Sequence, residues 1–355
     1  VTSEELVFDF ERVRVHGIGV YEGTGLDVRA VVAGLSRDVR DGFRLDEVPW
    51  GRFSHAYGSG EDVLIHLSRM RCADAAAARD ARSSLGNSVC HQGTTGSVAP
   101  LTVPFLLRIA EDQAAHERVN ALVLVAAVAC RNHWGNGSRA ALLRVADPDD
   151  EVTFDGSGYP QNWSVRAGRD AIAADAHIPI ALLDDLDPGV REAAACVLAA
   201  SSGRAWEVSA ALHERFRVEG HPRLRAGLVL AIAQLAREHR HEDAAGFTRA
   251  CWSDPARPPE VRVAAALGWL CLVDDSAPED LRAVLDELVT PELGRLMAEV
   301  PWLRQVDSHS GAGLTLTLKH MFDPAPRPTF PGTWGKPGRF VGWGKPGRFA
   351  DDPLV

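Results

Sequence analysis

Three short segments with shared punctuation constrain the architecture most. Asp187-Pro188-Gly189-Val190-Arg191, His221-Pro222-Arg223-Leu224-Arg225 and Pro258-Pro259-Glu260-Val261-Arg262 set their final arginines 34 and 37 residues apart. That is the period of a helix pair stacked on copies of itself. Each proline falls just before a helix or in its first turn, where a missing N–H costs nothing. Apolar or small residues then recur at helical spacing: Val190, Ala193, Ala194, Val197 and Leu198; Leu224, Gly227, Leu228, Ala231 and Ile232; Val261, Ala264, Ala265, Gly268 and Trp269. The spacing predicts one buried stripe per helix.

Partner helices are expected over 178–186, 205–217, 242–251 and 279–289, and earlier helices over 62–70, 75–90, 98–110 and 117–131. Residues 1–50 read as a cap over the first hydrophobic edge, which stacked repeats require. Within the cap, alternating Val13 and Val15 suggest extended chain over 7–20, and 26–35 has helical spacing. The helix pairs of 51–131 give way at 132–169 to a Gly-rich insertion holding Trp134, Phe154, Tyr159 and Trp163. Helix pairs resume over 170–322, and 323–355 is a Pro- and Gly-rich tail.

The pattern Pro-x-[Val/Leu]-Arg-x-x-[Ala/Gly] at this period resembles HEAT repeats. That resemblance implies an all-α, right-handed α-solenoid. The earlier half resembles a group of bacterial, mostly actinobacterial, HEAT-like proteins. The likeness rests on His55-Ala56-Tyr57-Gly58, Asp62-Val63, His91-Gln92-Gly93-Thr94 and Val103-Pro104-Phe105-Leu106. It implies an immunity-like or regulatory protein that binds a partner on its concave face. The candidate partner surface comprises His91 and Gln92, which follow a helix end, with Trp134, Tyr159 and Trp163 of the insertion. In HEAT arrays the repeated arginine pairs with a neighbouring acid, so Arg191, Arg225 and Arg262 are expected to meet groups such as Asp187 or Asp254.

The formal net charge of −10 argues against a broad nucleic-acid footprint. A HEAT-type nucleic-acid enzyme is therefore the third-ranked reading. The pairs His116-Glu117, His213-Glu214 and His241-Glu242 resemble the iron-binding dipeptides of hypusine hydroxylases, but they fall on different helices and phases. A metal site needs convergent ligands, so no metal or cofactor is expected. Asp147-Pro148-Asp149-Asp150-Glu151 lacks the Gly and Glu that a calcium loop requires at its sixth and twelfth positions. No catalytic constellation emerges. The six cysteines never form a C-x-x-C pair and mostly sit in apolar helical surroundings. They read as small hydrophobes in a reducing, cytoplasmic setting. No membrane span or signal peptide is expected.

The tail breaks every compositional rule of the body. Trp334-Gly335-Lys336-Pro337-Gly338-Arg339-Phe340 recurs as Trp343-Gly344-Lys345-Pro346-Gly347-Arg348-Phe349. Its prolines forbid helix and ladder, predicting a flexible, extended appendage. The chain has 35 arginines and only 3 lysines, and two of those are Lys336 and Lys345. Residues 333–349 carry +4, leaving −14 on the rest. Aromatics alternating with cations are hot-spot material. Trp-Gly-Lys also resembles the triplet crosslinked in streptide-like peptides, which implies a modifiable core fused to a carrier. The sequence therefore points to a non-catalytic protein- or peptide-binding scaffold. It presents Trp334, Lys336, Arg339, Phe340, Trp343, Lys345, Arg348 and Phe349 to a protein partner, such as a peptide-modifying enzyme.

Overall fold

The computed structural model describes residues 8–72, 74–130, 136–146 and 153–322. In chain order it forms α1 (Phe10–His16), α2 (Val28–Gly34), α3 (Arg37–Asp41), β1 (Ser54–His55), β2 (Gly58–Ser59), α4 (Val63–Met70) and α5 (Ala75–Val89). Next come β3 (Cys90–His91), β4 (Thr94–Thr95), α6 (Ala99–Glu111), α7 (Arg118–Ala129), α8 (Gln161–Ala174), α9 (His177–Leu182) and α10 (Pro188–Ala199). The C-terminal part holds α11 (Ala205–Val218), α12 (Pro222–His239), α13 (Asp243–Ser253), α14 (Pro259–Leu272), α15 (Glu279–Leu288), α16 (Pro291–Met297), α17 (Pro301–Val306) and α18 (Gly313–Phe322).

The proline-led helices α10, α12 and α14 form a row, α10 against α12 and α12 against α14, which α7 continues by packing on α10. Helices α11, α13 and α15 pack beside that row as the second member of each pair. The chain is an all-α solenoid. The expected helix ends hold to within a few residues because Pro188, Pro222 and Pro259 each open a helix.

Two expectations fail for local reasons. The stretch read as extended contains α1, because the Asp9 carboxylate caps it, accepting from Glu11 N at 2.9 Å and Arg12 N at 3.4 Å. That cap satisfies two otherwise orphaned donors and overrides the alternation of two valines. The insertion is also shorter than 132–169, since α8 begins at Gln161 within it.

The repeated arginines do find partners, but not the ones expected. Arg191 donates to Glu219 at 3.0 Å and to the Asp185 carbonyl at 3.0 Å. Arg225 lies over the Phe216 ring, 4.9 Å from its centroid. Arg262 donates to the Trp252 carbonyl at 3.1 Å.

The largest departure concerns the inner row. Eleven consecutive residues of α12, Ala226–Ala236, are buried, as are eleven of α14, Val261–Cys271. A helix buried around its whole circumference has neighbours on every side. Gly227 and Gln234, seven positions apart on one face of α12, both meet Trp302 of α17. Arg225, two positions and about 200° from Gly227, covers Phe216 of α11. Helices α11 and α17 thus lie on opposite sides of α12. Helix α16 packs on α14, and α18 packs on both α16 and α17. Residues 136–146 close the same side: Arg237 donates to the Arg139 and Ala140 carbonyls at 3.0 Å each, and Arg139 to the Asp275 carbonyl at 2.7 Å. The helices after α15 do not extend the array. They fold back over the face of the row opposite α11.

Candidate functional site

One cleft remains where this cover ends. It has a volume of about 280 Å³ and lies between α7, α10, α17 and residues 136–144. Val119, Val123 and Ala126 form the α7 wall, Ala193 and Cys196 the α10 wall, and Trp302 and Val306 the α17 wall. Val123 is 50% exposed, unusual for a valine on a helix whose other large apolar residues are mostly buried. The apolar run that includes α7 thus leaves one valine facing the opening.

The polar groups of the cleft differ in how well they are satisfied. Gln234 is bonded at both ends: its amide donates to the Ala199 carbonyl at 3.1 Å and its oxygen accepts from Trp302 Nε1 at 2.7 Å. Arg304 is held by Glu299, at 2.7 Å to its carbonyl and 3.1 Å to its carboxylate. Arg144 lines the opening. Glu192 is different. Its Oε1 is buried without a hydrogen-bond partner, and Arg223 Nε stands 3.6 Å away, at ion-pair range only. Burial pushes its carboxyl upward, opposed by Arg223 and Arg304. A carboxylate in that state gains from a cation supplied by a ligand.

Covalent chemistry has little support here. Burial pushes the thiols of Cys130 and Cys196 up, the former to about 12, so both are protonated at neutral pH and poor nucleophiles. Among the described residues, no group of three His, Cys, Asp or Glu side chains is placed to hold a metal. Of the His-Glu histidines, His213 packs edge-on against Phe247 and His241 stacks on Trp206, with ring centroids 4.6 and 4.5 Å apart.

The expected partner surface is split. His91 and Gln92 lie on the β3–β4 hairpin, whose two-residue loop has φ of +47° at Gln92 and +77° at Gly93. Those signs define the turn that suits a twisted hairpin. The β1–β2 hairpin abuts it: the Tyr57 hydroxyl is 3.2 Å from His91 Nδ1, and Tyr57 is 66% exposed. Behind it, His55 Nδ1 accepts from the Tyr57 backbone N–H at 3.1 Å. The ring proton therefore sits on Nε2, which donates to Asp62 at 2.8 Å. The separated motif residues His55, Tyr57, Asp62 and His91 thus meet in one polar patch.

Tyr159 does not belong to a partner surface. It is buried, donating to the Leu26 carbonyl at 2.7 Å and accepting from Val28 N at 2.9 Å, so it ties the insertion to the N-terminal cap. Trp163 is half-buried in α8 beneath the Arg29 guanidinium, 3.9 Å from its ring centroid. Trp134 and all eight tail residues lie outside the described residues. The cleft itself escaped sequence reasoning. Its local signals were an acid at Glu192, next to Arg191 at the head of a mostly apolar helix, and an apolar run at α7.

No protein-family model matches the chain, and neither does any curated protein. A designed armadillo repeat protein in complex with the peptide (KR)4 is similar over 72% of this chain and 97% of its own, at 14% identity and a TM-score of 0.34. A likeness that low is no basis for fold or function. The solenoid rests on the chain's own helix packing.

Proposed function

We propose that this chain is a non-catalytic helical-repeat protein that binds an extended peptide in the cleft between α7, α10 and α17. One large aromatic side chain fills the apolar walls, and a neighbouring cation meets Glu192. The observation that carries this reading is the buried Glu192 carboxylate, held by Arg223 only at ion-pair range of 3.6 Å, beside an exposed apolar wall at Val123. At about 280 Å³ the cleft lies just below the roughly 300 Å³ at which ligand pockets begin, which suits a single side chain. The acidic balance of the chain opposes binding of DNA. No helix of the described residues is long and apolar enough to cross a membrane.

The test is calorimetric titration of the free peptide Trp-Gly-Lys-Pro-Gly-Arg-Phe into the full chain carrying Trp334→Ala and Trp343→Ala. Binding is expected. Adding Val123→Trp, which fills the cleft from an exposed position, is expected to weaken it at least about tenfold, or ~1.4 kcal/mol. Glu192→Gln is expected to weaken binding and flatten its pH dependence. The sign follows from the ionised carboxylate holding the cation: affinity falls as pH drops through the raised Glu192 value, with Arg144, Arg223, Arg304, Glu299 and His221 the other charged or titratable groups nearby. Undiminished binding to Val123→Trp rules the cleft out.

The duplicated tail supports a second role, as a substrate of a peptide-modifying enzyme, because two of the chain's three lysines sit in it. Mass spectrometry of the chain from its native host is expected to show hydrogen loss or a cleaved fragment at 334–349. An intact, unmodified tail removes this role.

A further inference from the structure

We infer that the resident ligand of the cleft is the chain's own C-terminal segment, with Trp334 or Trp343 in the apolar pocket and the lysine two residues on at Glu192. The inference rests on the peptide-binding reading and names its occupant.

The place where the described chain ends is the first argument. Helix α18 ends at Phe322, packed on α17, which forms one wall of the cleft. Near that end, the Gly137 N–H donates to His320 Nδ1 at 3.3 Å. A Cβ on Gly137 would stand 2.7 Å from Thr317 Cα, so only glycine permits so close a seat. The adjacent residue, Asn136, lines the cleft. The described chain therefore ends close to the rim of the cleft. Trp334 lies twelve positions beyond Phe322, a span of up to roughly 40 Å when extended. Both Trp-Gly-Lys units can reach a pocket walled by α17, the helix on which α18 packs.

Chemistry is the second argument. The tail segment carries +4 against −14 on the remainder, and the buried acid of the cleft, Glu192, has Arg223 only at ion-pair range of 3.6 Å. An indole matches the walls of Val119, Val123, Ala193 and Trp302, and Arg144 at the opening can lie against its face. Tethering raises the effective concentration of such a segment to about the millimolar range, so even a weak site is occupied. Two units and one cleft leave the second unit free for a partner.

The experiment places the photo-crosslinker p-benzoylphenylalanine at position 334, and separately at 343, in the full-length chain. Crosslinks are mapped by mass spectrometry with and without Val123→Trp. Intrachain crosslinks to α7, α10 or α17, reduced about tenfold by Val123→Trp, are expected. In parallel, the Trp334→Ala, Trp343→Ala chain is expected to bind the free peptide at least about tenfold tighter than the unaltered chain, since its internal competitor is gone. Crosslinks between two copies, or none in the cleft, overturn the inference. If they do so while the free peptide still binds, the peptide-binding reading stands and only self-occupancy falls. If the peptide binds neither chain, both fall.

Discussion

Replacing Trp302 with alanine is expected to destabilise the C-terminal half by about 3–5 kcal/mol, the usual cost of emptying a buried aromatic site. The side chain is only 6% exposed. It reaches from α17 to the inner row, where its indole N–H donates to Gln234 Oε1 at 2.7 Å and its ring lies 3.9 Å from where a Cβ of Gly227 would stand. Truncation removes the ring and also strands a buried amide oxygen, itself worth about 1–3 kcal/mol. The damage is local first, because neighbours in a repeat array share stability only through their interfaces. Urea unfolding followed by a probe on α12 should show the loss. Peptide binding should vanish with it, since Trp302 is one wall of the cleft. A change below about 0.5 kcal/mol, the range of ordinary surface substitutions, means α17 does not seal α12.

An effect of similar size is expected at the other end of the molecule for Asp175→Ala. Asp175 follows α8 with its carboxylate 3% exposed, and it joins Arg108 of α6 at 2.8 Å to Arg40 of α3 at 2.7 Å. Arg108 also reaches Asp41 and the Pro104 carbonyl. Removing the acid leaves two guanidinium groups, 9% and 16% exposed, without their common partner. Breaking a buried pair in this way costs about 3–5 kcal/mol, whereas exposed pairs are worth about 0–1 kcal/mol. Arg14 and Glu11, 52% and 70% exposed, are the internal control. Arg14→Ala should leave the thermal midpoint nearly unchanged, and Asp175→Ala should lower it by many degrees. Equal effects would falsify the distinction between the two pairs.

The stack was legible because its signals are local. Pro188, Pro222 and Pro259 open helices, and the apolar spacing after each one marks a buried face. The fold-back was not legible because its decisive contact, Trp302 with Gln234, joins residues 68 apart in sequence. Helices α16, α17 and α18 have only 7, 6 and 10 residues, too few to show a period. One readable sign was passed over. From Ala226 to Ala236 every residue but Gln234 is apolar or Gly, a composition with no solvent face and hence a helix covered on both sides. The site was less legible still. His91 and Gln92 do follow a helix end, but Tyr159, expected on the partner surface, has its hydroxyl bonded to the Leu26–Val28 backbone. Glu192 carried no motif at all, and only its burial at ion-pair range from Arg223 marks it.

The fold-back and the cleft it leaves both depend on α17 resting on α12. A double-mutant cycle on Trp302→Ala and Gln234→Ala measures that contact directly. A coupling energy of about 0.5–3 kcal/mol is expected for residues sharing a buried hydrogen bond. Losses that simply add, to within about 0.5 kcal/mol, would contradict the seating of α17 on the inner row and remove the cleft with it.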